Sequence, residues 1–249
     1  DNAGVHIYGQ GSREDPKANL AIQLPQGYTI QVPGKIDRPI DEFHLDNNMQ
    51  SVSPVSSELS WKIAEIAGID TVQNFTSHVR RNGSFHGIFH FSEEHDKTWR
   101  QEFGYEDVGI FYKDSSFPKN MIPNDGSNPD YSVIIAYQDA IEATQSEERR
   151  EYILENQNIP NTINIMAFQA LIQNDDWGIS RNINTSHNER TGRYTFLPWD
   201  LDGSFYGTKN PISPYNTTEG APPRQVARYF VTSLYDEPDF REMYFRRLK

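Results

Sequence analysis

"FLPWDLDGSFYG", residues 196–207, sets an apolar run directly against two carboxylates, Asp200 and Asp202, and then Gly203. A strand often ends in Asp and Gly for geometric reasons alone, because both tolerate turn conformations. Paired carboxylates at a strand end also suit a hard divalent cation, which prefers oxygen ligands. This stretch is therefore either a structural turn or an ion site, and the choice decides what kind of fold surrounds it.

Working backward from it, residues 193–197 read as a strand, preceded by a polar turn at 188–192. Helical spacing places a helix over 161–173, with Ile163, Met166, Ala167, Ala170 and Leu171 on one apolar stripe. Two further helices are predicted over 131–143 and 146–156. Residues 117–130 are rich in Pro, Asn, Asp and Gly without periodicity. They form a long loop and the boundary between a β-rich region, 1–116, and a helical one, 117–249.

In the first region, "VHIY", "ANLAIQL", "YTIQV" and "IDEFHL" are short strand-like runs broken by Gly, Pro and Asp. Gly9 to Ser12 forms a turn between the first two. Ser53-Pro54 opens a helix whose apolar stripe is Val55, Leu59, Ile63 and Ile66, and Gly68 stops it. Asn82-Gly83 lies between "FTSHV" and "FHGIFHF" and signals a hairpin, since both residues accept positive φ. The strand "VGIFYK" follows an acidic stretch, Glu93 to Asp107, which reads as a solvated face.

At 249 residues with 12% aromatics the chain can bury a sizeable core. The formal charge of -12 argues against a nucleic-acid partner. No apolar run reaches the roughly 20 residues that span a bilayer. Cysteine is absent, which removes disulfides, thiolate metal sites and cysteine nucleophiles together. The first residue is Asp, consistent with a mature form or an excised piece. Four N-x-S/T sequons, at Asn74, Asn82, Asn184 and Asn216, carry little weight in a chain rich in Asn and Ser.

Asp176, Asn182 and Asp200 could together supply oxygen ligands for Mg²⁺. Their order follows the logic of phosphoryl transfer: a base-like Asp, a metal-holding Asn a few residues on, then an Asp before a glycine-containing turn. The usual kinase motifs H-R-D, D-F-G and G-x-G-x-x-G are absent. His86 and His90, four apart on one face of a predicted strand, could ligate a transition metal, although a structural role is the simpler reading without a third ligand. Trp177 and Trp199 either shape a pocket or pack the core, and packing is the simpler expectation.

Six blocks in order, "GQGSREDPK" (9–17), "FHLDNN" (43–48), "NGSFHGIFHFSEE" (82–94), "GIFYK" (109–113), "NDDWGISRNIN" (174–184) and "PWDLD" (198–202), resemble the CotH kinase family of atypical protein kinases. The resemblance implies an α+β, two-lobed, protein-kinase-like fold with a β-rich amino-terminal lobe and a mainly helical carboxy-terminal lobe, and the domain could extend past residue 249. It implies transfer of the ATP γ-phosphoryl group to Ser or Thr of a coat or surface protein, with Mg²⁺ or Mn²⁺. A spore-coat or secreted, surface-associated setting follows from the family alone.

Carried over by position, Asp176 would be the catalytic base, with Asp175 beside it as the competing carboxylate. Asp200 and Asn182 would hold metal, and Asp202 would either add a water-mediated ligand or cap the turn. Lys17 would meet phosphate with Glu93 as its partner, Lys113 being the alternative lysine. The Gly9–Arg13 turn, including Ser12 and Arg13, would cover the phosphates. Ser56 and Ser57 stand where the family has Arg-Glu, a departure compatible with lost activity. Two rival readings remain: a catalytically silent CotH-like adhesion or assembly module, and a carbohydrate-active domain with opposed carboxylates.

Overall fold

The computed structural model describes residues 2–9, 12–49, 51–105, 109–113, 122–123, 132–174, 177, 182–205, 230–231 and 233–249. They form a mixed α+β structure built on two antiparallel sheets.

The first sheet contains β1 (Gly4–Tyr8), β2 (Asn19–Gln23), β3 (Glu42–Asp46), β4 (Asn74–Arg81) and β5 (Ser84–Glu93), in the order β1-β2-β3-β5-β4. The β4–β5 hairpin closes at Asn82 and Gly83, both at positive φ (52° and 83°), as the Asn-Gly signal predicts. "YTIQV" does not form a strand. Only Ile30 makes a bridge, to Ile40, because Gly27, Pro33 and Gly34 bend the chain back over the sheet. That excursion buries Ile36 and Ile40 against Phe43, Leu45, Phe89 and Phe91, giving this outer face a small apolar core.

The second sheet has the order β7-β6-β8-β9, with β6 (Gly109–Lys113), β7 (Ile122–Pro123), β8 (Ile183–Asn188) and β9 (Arg193–Pro198). Its β8–β9 turn is held by the Asn188 carboxamide oxygen, which accepts from the backbone of Arg190 (3.0 Å) and Thr191 (3.1 Å).

Helices α1 (Ser56–Ile66), α2 (Lys97–Glu102), α3 (Ser132–Ala143), α4 (Ser146–Asn156), α5 (Ile159–Leu171), α6 (Ser233–Asp236) and α7 (Pro238–Leu248) complete the described structure. The main core draws on α1, α2, the helices from α3 onward and the second sheet. Helix α5 starts where Asn158 accepts from the Asn161 N–H. It is buried on more than the predicted stripe: Ile165 and Phe168 are enclosed, whereas Leu171 is 60% exposed.

Helix α1 buries a different face from the expected one, and of the predicted stripe only Ile63 packs, half-buried, against the main core. Val55, Leu59 and Ile66 are exposed, and the buried side carries Ser56, Ser57, Ser60, Trp61 and Ala64. Small residues there let the helix approach the rest of the protein closely, so burial follows size rather than hydrophobicity. The acidic stretch is not a solvated face at its start, although Glu102 is exposed, and Glu106 and Asp107 lie outside the described residues. Glu93 and Glu94 are each 1% exposed, and Asp96 caps α2 by accepting from the Trp99 N–H at 2.8 Å.

Candidate active-site cleft

Antiparallel pairing brings the opening stretch to its partners. Ile183 pairs with Pro198 at the end of the β8–β9 ladder, and the Trp199 N–H donates to the Asn182 carbonyl at 3.1 Å. Asn182 and Asp200 therefore flank the same end of one hairpin, although 18 positions separate them in the sequence. Both adopt left-handed backbone conformations, φ 63° and 50°. Such positions cost free energy for non-glycine residues and persist where the surroundings enforce them, often at functional sites. Asn182 is buried, Asp200 is exposed, and Leu201–Gly203 forms one turn of 3-10 helix.

A small, partly open cleft lies at this hairpin end. The turn supplies Trp199, Asp200, Leu201 and Asp202; α1 supplies Ser57 and Trp61; the first sheet supplies Tyr8, Asp46, His90 and Ser92. Three of these residues are carboxylates and none is Lys or Arg. Burial holds the Asp46 carboxyl well above the ordinary carboxylate range, and the neighbouring charges of Asp202 and Glu94 push it further.

The sheet wall follows from strand periodicity. His44 lies opposite Ser92 and Asp46 opposite His90 in the β3–β5 ladder, so these side chains share one face with Glu94. The other face carries the apolar core with Phe43, Leu45, Phe89 and Phe91. On the cleft side, the Nε2 of His44 meets Glu94 at 3.0 Å, and the Trp199 ring sits against His44 (5.6 Å) and His95 (5.2 Å). Trp199 lines the cleft and also packs, partly buried, against the main core, in which Trp177 is enclosed, so both meet the packing expectation. His95 contacts the Asn184 carboxamide at 2.6 Å, which makes that sequon asparagine a core residue.

The histidine pair is divided. A bulge in the β4–β5 ladder leaves His86 opposite no partner and stacks it on Phe89, the side away from His90. His86 is exposed and His90 is buried, so the two do not form a joint metal site.

The Gly9–Arg13 turn is only partly described, since Gln10 and Gly11 lie outside the described residues. Gly9 has φ 97°, and a Cβ there would meet the Ser12 hydroxyl at 2.0 Å, so glycine is required. Ser12 accepts from the Asn19 carboxamide at 3.0 Å, and Asn19 in turn accepts from the Asn47 N–H at 2.7 Å. Asn47, buried, also donates its carboxamide to Asp15 (2.9 Å) and to the Lys17 carbonyl (2.6 Å). This hub, inside the "FHLDNN" block, fixes the turn. Arg13 is exposed.

Lys17 donates to the Ile88 carbonyl at 2.7 Å and lies over the Phe89 ring at 4.5 Å; partial burial lowers its pKa. Glu93 is engaged by Arg38 rather than by Lys17. Its carboxylate takes both guanidinium branches of Arg38 and also accepts from the Gln73 N–H at 2.9 Å. Burial nonetheless pushes Glu93 up to about 7. Neither Lys17 nor Glu93 lines the cleft described above. The side chain of Lys113, and Asp175 and Asp176 entirely, lie outside the described residues.

Among the described residues, no three His, Asp or Glu side chains form a closed metal cage. Asp200 and Asp202 line the cleft, and Asn182 flanks the same hairpin end without lining it; carboxylate and carboxamide oxygens are the donor type that Mg²⁺ prefers. Asp46, Ser92, Tyr8 and Trp61 are cleft residues that sequence reasoning did not single out, and His90 and Ser57 drew notice for other reasons. The signal was present as polar residues at alternate positions of β3 and β5, but that pattern also describes a solvent face.

Comparison with curated proteins finds no match. The profile described as CotH kinase protein matches residues 5–249, and the chain accordingly belongs to the CotH kinase family.

Proposed function

We propose that this chain is an active CotH-type protein kinase with a two-lobed arrangement, transferring the γ-phosphoryl group of ATP to Ser or Thr hydroxyls of a coat or cell-surface protein. The observation that carries the reading is the convergence of Asn182 and Asp200, both in left-handed backbone, at one end of the β8–β9 hairpin beside Asp202. Asp200 and Asn182 would hold Mg²⁺ or Mn²⁺, and Asp202 would support the ion through water or steady the turn. The metal supplies charge neutralisation for the phosphates.

Asp176 would orient the acceptor hydroxyl and take its proton, and Asp175 is the carboxylate to test beside it. The Gly9–Arg13 turn, with Ser12 and Arg13, would cover the phosphates, with Lys17 or Lys113 as a point charge and Glu93 acting through Arg38. No helix among the described residues is long and apolar enough to cross a membrane. The spore-coat or surface setting rests on the family name.

A second reading, an adhesion or assembly module without catalysis, draws on one observation. Lys17 and Glu93, the pair expected at the phosphates, are engaged elsewhere, by Ile88 and Arg38. Transfer of radiolabelled γ-phosphate to a mixed Ser/Thr protein substrate separates the two. The kinase reading expects transfer by the wild-type protein and none by Asp176→Asn. Absence of transfer and of autophosphorylation with either metal favours the module.

A further inference from the structure

Each of the two turns assigned to the site is entered through an aromatic residue. Tyr8 ends β1 and directly precedes the Gly9–Arg13 turn, and Trp199 follows β9 and directly precedes Asp200. Both line the cleft, although β1 and β9 belong to different sheets. Their rings meet the same side chain. The His44 ring lies 4.2 Å from that of Tyr8, tilted by 31°, and 5.6 Å from that of Trp199, nearly edge-on at 74°.

His44 is placed to hold both. Strand β3 is the central one of its five-stranded sheet, paired with β2 on one side and β5 on the other, so its backbone is fixed along both edges. The ring is buried, and its Nε2 lies 3.0 Å from the Glu94 carboxylate. Glu94 is anchored in turn. Its backbone N–H donates to the Glu42 carbonyl at 3.3 Å, and its Oε1 accepts from the His95 N–H at 3.1 Å. The His95 ring makes the second contact with Trp199, at 5.2 Å. A phenylalanine at position 44 would pack against the same rings but leave the buried Glu94 without this contact, at a cost in free energy. Histidine offers ring surface to two turns and a nitrogen to the carboxylate that orients it.

We propose that His44 is a positioning residue: it holds the Asp200–Asp202 turn in register with the Gly9–Arg13 turn, so that a metal ion and the phosphates sharing it are gripped from both sides. This rests on the metal–nucleotide reading above. His44 does not line the cleft, so it acts through Tyr8 and Trp199 rather than by touching the ligand.

The test uses Mn²⁺–ATP with the wild-type chain, with His44→Leu, and with His44→Phe combined with Glu94→Gln, which restores a ring and removes the charge it would strand. Affinity is measured by calorimetry. The electron paramagnetic resonance spectrum of Mn²⁺ is recorded with ATP saturating, so that it reports the ligands of the bound ion independently of affinity. His44→Leu should lower Mn²⁺–ATP affinity about tenfold, the scale on which residues that orient metal ligands act, and should change the spectrum. The ring-restoring double variant should recover most of both. Either quantity unchanged in His44→Leu overturns the proposal, since a purely structural loss lowers affinity with the ligands of the ion as they were. Failure of the double variant to recover the spectrum overturns it too. If His44→Leu does not fold, Tyr8→Leu replaces it: Tyr8 is half-buried and belongs to the other turn, so an unchanged Mn²⁺ spectrum in that variant overturns the proposal. These outcomes leave the nucleotide reading standing, whereas failure of the wild-type chain to bind Mn²⁺–ATP overturns that reading and this proposal with it.

Discussion

The backbone N–H of Trp199 donates to the carbonyl of Asn182 at 3.1 Å, which closes the hairpin end and sets Asn182 beside the turn that carries Asp200. The contact is made by main chain, so this hydrogen bond persists when either side chain is replaced. Substitutions at Asp200 can therefore probe metal binding with the scaffold left in place.

Asp200→Gly is the sharpest such substitution. Glycine accepts φ 50° without strain, which roughly offsets the chain entropy it adds to the unfolded state, so stability should stay within about 1 kcal/mol of wild type. Metal-dependent nucleotide binding should nonetheless fall at least tenfold. Thermal melts paired with a Mn²⁺–nucleotide titration check this. A large loss of stability would show that the Asp200 side chain is mainly structural.

Asn47 connects the Gly9–Arg13 turn to the sheet through its backbone and side chain. Asn47→Ala leaves half-buried acceptors on Asp15 and the Lys17 carbonyl without their donor, which should cost about 1–2 kcal/mol. Denaturant unfolding measures the loss, and backbone amide exchange should rise around Ser12 to Lys17. Stability within 0.5 kcal/mol of wild type would contradict the hub assignment.

The Arg38–Glu93 pair predicts an asymmetric cycle. Arg38→Met strands a buried carboxylate and should destabilise by about 3 kcal/mol, while Arg38→Met with Glu93→Leu should recover most of that. Equal loss in the single and double variants would mean that the pair does not determine stability. The same cycle read by nucleotide affinity tests whether Glu93 acts on the cleft through Arg38.

His90 gives stability an acid-sensitive component. Its folded pKa, about 4, lies below the ordinary 6.5, so between these values the unfolded chain binds the extra proton. The contribution is full at pH 7 and is lost as pH falls from about 6.5 toward 4, amounting to about 3 kcal/mol. Glu93 works in the opposite direction. Its pKa of about 7 favours the folded state's proton uptake between about 4.5 and 7, so this contribution declines as pH rises. Comparing wild type with His90→Gln isolates the histidine: the variant should lose less stability between pH 7 and pH 4. Parallel pH profiles would rule out a buried, neutral His90.

Elements with local signals were legible in the sequence. The Asn82-Gly83 hairpin, the β8–β9 turn and helices α3 to α5 appear close to their predicted places because turn chemistry and periodicity act over few residues. Helix α1 misled because its buried face is serine and alanine around Trp61, so Val55, Leu59 and Ile66 of the predicted stripe point outward and only Ile63 packs against the core. The cleft wall was hidden for a related reason. His44, Asp46, His90, Ser92 and Glu94 have the alternation of a solvent face, and only the packing of α1 and the Trp199 turn shows that this face is covered. The engagement of Glu93 by Arg38, 55 residues away in the chain, depends on the excursion that replaces the predicted "YTIQV" strand.

The most direct test of the account is a calorimetric titration of ATP into the wild-type protein with Mg²⁺ or Mn²⁺, repeated with EDTA. The account predicts binding with metal and none with EDTA, which would make "PWDLDG" an ion site. Absence of binding under both conditions would make that stretch a structural turn in this chain and contradict the kinase assignment.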